Sequence, residues 1–164
     1  MDALRDLRPS MLHVLGRHYH GVRAYGFYCV EDFDRAQQEL LSAEEAVRGA
    51  IELDRYLLPL ASDCHEFHLH HARIARNQQQ WSEMHEQIAL VRAMVTDQVP
   101  LCRLRDGSPV SYSTIRVYYA SRSPLPEEAQ RAARPFLDPE LRCRLFEQFV
   151  TALYSIPGIV IPYV

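Results

Sequence analysis

The segment Cys64-His65-Glu66-Phe67-His68-Leu69-His70-His71 is the densest concentration of potential metal ligands in the chain. At about 100° per residue, a helix brings Cys64, His68 and His71 within roughly 60° of one another. They share that face with the apolar residues Leu60, Phe67 and Ile74. Thiolate and imidazole are good ligands for Zn²⁺, and HxxH spacing occurs twice, at His65/His68 and His68/His71. Cys64, His65, His68 and His71 are therefore the candidate ligands for zinc or another transition metal. A complete site needs one more ligand from another helix, for which His13, His18, His20 and His85 are available. The chain has no HExxH, no ExxH and no spaced cysteine pair of zinc-finger type. The plainer reading is a half-buried helix whose histidines bond to neighbours, with His65 and His70 in solvent. A pH-responsive cluster is a third.

Other groupings carry less chemistry. Cys64 and His68, at i,i+4, set a thiol beside a base, but no third residue that would orient the base is identifiable. Arg73, Arg76, Asn77 and Gln80 share a helical face and are side chains that pair with base edges. Glu83, Glu86 and Asp97 follow at once and would repel phosphate, so a nucleic-acid partner is disfavoured. There is no GxGxxG, P-loop or GxSxG. The run Arg116-Val117-Tyr118-Tyr119-Ala120-Ser121-Arg122 mixes residues over-represented in protein interfaces, which makes Arg116, Tyr118 and Arg122 candidate partner contacts. The last residues, Ile156 to Val164, are apolar to the end. Ile159, Ile161, Tyr163 and Val164 would serve as an edge strand or as a tail docked on a partner.

These residues need elements to hold them. Pro9-Ser10 opens a short helix that Gly16 and Gly21 interrupt, and the aromatic and β-branched stretch 22–30 reads as a strand. Asp32 or Asp34 caps a helix whose stripe runs through Leu40, Leu41, Ala43, Val47, Ala50, Ile51 and Leu53, with Pro59 kinking or ending it. From Leu60 to Gln98 no proline or glycine intervenes, and Leu60, Cys64, Phe67, Ile74, Trp81, Ile88 and Val95 recur at helical spacing, predicting one long helix. Asp106-Gly107 predicts the turn of a β-hairpin over 101–120, with a change of phase near Thr114 read as a bulge. A turn at 123–126 leads into a helix at 127–134, and Asp138-Pro139 starts a C-terminal helix. The sum is a helix-rich α+β fold in a single domain over residues 1–164.

Composition narrows the function classes. All 18 basic side chains are arginine, which fits either a GC-rich genome or selection against lysine in a eukaryotic cytosol. A net charge of −3 offers no global attraction to polyanions. No apolar run reaches the ~20 residues of a membrane span, and the amino terminus lacks a signal-type apolar region. Four dispersed cysteines suit a reducing compartment, so a cytoplasmic location is expected, bacterial or in a host cell. Together these features point to a non-enzymatic interaction module (adaptor, regulator, chaperone-like subunit or effector) acting on a protein partner or a second copy. The alternative is a metal- or cofactor-binding protein centred on the Cys64/His68/His71 face.

Overall fold

Two helices of equal length open the structure. The computed structural model describes residues 8–121, 131 and 138–155. Helix α1 spans Pro9–Cys29 and α2 spans Phe33–Leu53. A 3₁₀ helix, Arg55–Ser62, carries Pro59 and leads into α3, Asp63–Asn77, and α4, Trp81–Val95. A two-stranded antiparallel hairpin follows, β1 (Cys102–Arg103) with β2 (Pro109–Val110), then α5 (Tyr112–Ala120) and α6 (Pro139–Ser155). The protein is a helix-rich α+β fold. Arg122, the turn at 123–126, the tail from 156 onward and the helix expected at 127–134, residue 131 apart, lie outside the described residues.

Helix α1 corrects two expectations, because it runs straight through the stretch expected as a strand and through the glycines expected to break it. Intrinsic preferences of under ~1 kcal/mol per residue yield to packing. A side chain at Gly16 would face the Ala46 Cβ at 3.7 Å, and one at Gly49 would lie 2.5 Å from the His13 ring. Gly49 thus lets α1 and α2 approach where a side chain would not fit, whereas a Cβ at Gly16 would be in ordinary contact and α1 simply continues through it.

The helix expected to run from Leu60 to Gln98 is broken. Gln79 adopts φ 58°, the Gln80 N–H donates to the Ala75 carbonyl (2.8 Å), and the Gln79 N–H donates to that of Arg76 (3.0 Å). This pair of bonds is the Schellman stop, with glutamine in the left-handed position that usually takes glycine. Glu31 (φ 61°) ends α1 and Asp97 (φ 60°) ends α4 with the same bond pattern. The three-residue connection 78–80 folds α4 back on α3.

The hairpin turn forms at Asp106-Gly107, with Gly107 at φ 82° and the Asp106 carboxylate accepting from the Ser108 backbone and hydroxyl. The second expected strand, however, stops at Val110. Ser111 and Thr114 form a reciprocal capping box that turns residues 112–120 into α5. The phase change near Thr114 is this cap. Among the described residues the core is one continuous cluster running from Leu40, Val47 and Ile51 through Phe67 and Ile74 to Ile88, Val91, Tyr112 and Ile115. Among the same residues no helix is long and apolar enough to cross a membrane.

Candidate functional site

The histidine run lies on α3, and each candidate ligand meets a different neighbour. Cys64 is fully buried and hydrogen-bonds the Cys102 thiol of β1. That bond, with burial, pushes the Cys64 thiol well above its usual range, and the same bond pulls Cys102 down against the effect of its own burial. His65 Nδ1 shares a hydrogen bond with the Tyr112 hydroxyl at 2.7 Å. His68 Nδ1 donates to Gln87 Oε1 of α4 at 2.8 Å, and Gln87 in turn donates to Glu83 at 2.7 Å. His70 Nδ1 accepts from Arg73 at 3.3 Å. His71 stands beside His68 with ring centroids 6.2 Å apart.

Helical geometry explains why the shared face does not become a shared site. From Cys64 to His71 the helix rises about 10 Å at ~1.5 Å per residue, so one face does not mean one point. Among the described residues no group of three or more His, Cys, Asp and Glu side chains is arranged to hold a metal ion. His65 and His70, expected in solvent, are partly enclosed.

Enclosure dominates the electrostatics here. Burial pushes His65 down to about 4, helped by the nearby Arg142 charge, and His71 to about 4, helped by His68. Burial likewise takes His70 to about 3, with Arg73 adding to it. Burial raises Glu66 to about 7, reinforced by Asp63 and opposed by Arg17. Burial also raises Asp63, although Arg17 lies 2.6 Å away and works against it. Desolvation favours the uncharged form of each group, so His65, His70 and His71 are neutral near pH 7 and the Glu66 carboxyl is about half protonated there.

Two buried arginines tie the helices together. The Arg142 side chain of α6 donates from Nε to the Val95 carbonyl at 2.7 Å and covers the Tyr112 ring at 3.9 Å. It thereby satisfies a carbonyl at the carboxyl end of α4 and stacks a cation on an aromatic face. Arg73 lies between the rings of Tyr28 and Phe149, Arg76 donates to the Leu153 carbonyl, and Asn77 donates to the Tyr28 hydroxyl. Side chains that resemble a base-reading face in sequence are thus engaged in joining α3 to α1 and α6.

On α5, Arg116 is exposed and Tyr118 is half-buried against the core, edge-on to Tyr119. Their helical placement corrects the expected strand alternation. Arg122, Ile159, Ile161, Tyr163 and Val164 lie outside the described residues.

The surface that sequence reasoning missed is the outward side of α1. Leu12, Leu15, Tyr19 and Val22 are 47–73 % exposed, with Gly26 and Cys29 continuing the line. Their spacing is 3-4-3-4-3, a heptad seam facing solvent. Met11, Tyr25 and Val30 flank it, also exposed. The helix has two arginines: Arg17 turns inward and pairs with Asp63 at 2.6 Å, while Arg23, 43 % exposed, borders the seam, pairing with Glu39 at 3.0 Å and donating to the Tyr19 hydroxyl at 2.6 Å. The signal was present as the 3-4 repeat, but dividing residues 9–30 between a helix and a strand hid it.

A cavity between α1, α2 and α3, lined by Ala24, Tyr25, Tyr28, Leu40, His70 and Ile74, has a volume of about 10 Å³. That is room for about one water molecule. No protein-family model, curated protein or solved structure matches this chain.

Proposed function

We propose that the chain is a protein-interaction module whose contact surface is the outward face of α1. The observation that carries this reading is an apolar stripe, bordered by the Glu39-paired Arg23, along a helix whose opposite side already packs on α2. Surface helices of globular proteins normally present a polar side to water, and an apolar stripe is the side that packing covers. Burial of apolar area against a partner is favourable by roughly 25 cal/mol per Å², which makes such a face adhesive. The polar clusters on α3, by contrast, are occupied within the fold. Arg116 and the tail residues Ile159 to Val164 remain secondary contacts in this reading.

A photo-reactive residue placed at Val22 tests it in the cells that make the protein, with Arg103 on the hairpin as the control position. Discrete adducts at 22 and none at 103 support the reading. Equal, diffuse labelling at both positions, or none at 22, refutes it.

A further inference from the structure

We infer that the outward face of α1 pairs antiparallel with the same face of a second copy, Leu12, Leu15 and Tyr19 of each helix packing on Cys29, Gly26 and Val22 of the other. The inference rests on the interaction reading and names its partner. Three observations lead to it.

The first is charge. A surface that pairs with itself around a two-fold axis meets its own charges, so a charged face repels its copy. No charged residue occupies the seam itself, and Arg23, exposed at its edge beside Tyr19, is already paired with Glu39 of the same chain. The second is area. Seven large apolar side chains left 39–73 % exposed amount to several hundred Å². That approaches the ~800 Å² per partner of a stable interface and exceeds scattered exposure on an ordinary monomer.

The third is size along the seam. Bulky residues (Leu12, Leu15, Tyr19) fill its amino-terminal half, and small ones (Val22, Gly26, Cys29) fill its carboxyl-terminal half. A parallel pair would set Gly26 against Gly26 and leave a void. An antiparallel pair sets position 12 on 29, 15 on 26 and 19 on 22, each a large residue on a smaller one. The seam is short for a free coiled coil, but α1 is already ordered by its packing on α2, so pairing does not have to fold it.

The test uses the full untagged chain in sedimentation velocity across a wide concentration range. Wild type should associate to twice its 19.0 kDa mass. L15E should weaken association by at least about a hundredfold, since it buries an unpaired carboxylate. Adding G26R should restore it, because only the antiparallel register sets an arginine there against the carboxylate of the second copy. Nothing lies within 4 Å of a side chain built at Gly26, so the double variant keeps the fold; far-UV circular dichroism checks both variants. Two results overturn the proposal: a dimer indifferent to L15E, or an L15E chain that G26R does not rescue. A wild-type monomer at every concentration also overturns it, and the thiol reactivity of the exposed Cys29 then separates the two readings. A reactive Cys29 leaves the face open for a different protein. An unreactive one means that the chain covers the face itself, and the interaction reading falls as well.

Discussion

Acidification from about pH 6.5 to about pH 5 should remove roughly 3 kcal/mol of stability, and the reason lies on α3. Folding holds His65 and His71 at about 4 and His70 at about 3, all below the usual 6.5. In that window the unfolded chain binds three protons that the folded chain refuses, so stability falls as pH drops through 6.5 and the loss slows near 4. Glu66 works in the opposite direction. Raised to about 7 from 4.5, it holds a proton when folded and not when unfolded, which adds stability as pH falls from 7 to 4.5. Three uptakes less one release leave a net difference approaching two protons near pH 5. At about 1.4 kcal/mol per proton per pH unit, the integrated loss is about 3 kcal/mol. Against a typical total of ~5–15 kcal/mol, that is a large fraction. Urea unfolding at a series of pH values measures it directly, the slope giving the proton difference. His70→Gln, whose amide oxygen can still accept from Arg73, should lower that slope by about one proton. A stability that is flat or rises on acidification between these limits would refute the claim that the imidazoles are enclosed and neutral.

Three further substitutions test the architecture. Arg142→Ala should cost about 2–4 kcal/mol, through the orphaned Val95 carbonyl and the lost cation over Tyr112, and a Tm within a degree of wild type would contradict its role as a clamp. Gln79→Gly should stabilise by about 1 kcal/mol, because glycine meets no penalty at φ 58°; destabilisation in urea unfolding would mean that α3 does not end as described. Gly49→Ala should destabilise by about 1–3 kcal/mol by pushing on the His13 ring. His13→Ala in the same chain should recover part of that loss; its failure to do so would argue against the close approach of α1 and α2.

Local chemistry alone determined several elements. The Asp106-Gly107 turn needs one positive φ, and glycine supplies it. Asp32 caps α2, and Asp138 accepts from the Leu141 N–H ahead of Pro139 to start α6. Along the stripes, Leu40, Ala43, Val47, Ala50 and Ile51, and Cys64, Phe67, Ile74, Ile88 and Val95, are buried as their spacing predicts, which suffices for a helix-rich α+β class, while Leu41 and Leu53 are exposed and Leu60 is half-buried. Trp81, on the same stripe, is 54 % exposed, since the break after Asn77 takes it off that face.

Tertiary structure decided the rest. Glu31, Gln79 and Asp97 end helices in the left-handed conformation without glycine, so no residue type announces the stops. The capping box at Ser111 competes with β-branched neighbours of strand preference, and packing of Tyr112 and Ile115 into the core settles the contest for helix. Periodicity places Cys64, His68 and His71 on one face but says nothing of Cys102 or Gln87, which arrive from elements up to 38 residues away. The outward seam of α1 is written in the sequence as a 3-4 repeat. Which side of that helix would face α2, and which would be left to water, depended on where Gly49 and the Arg17–Asp63 pair allowed the helices to meet.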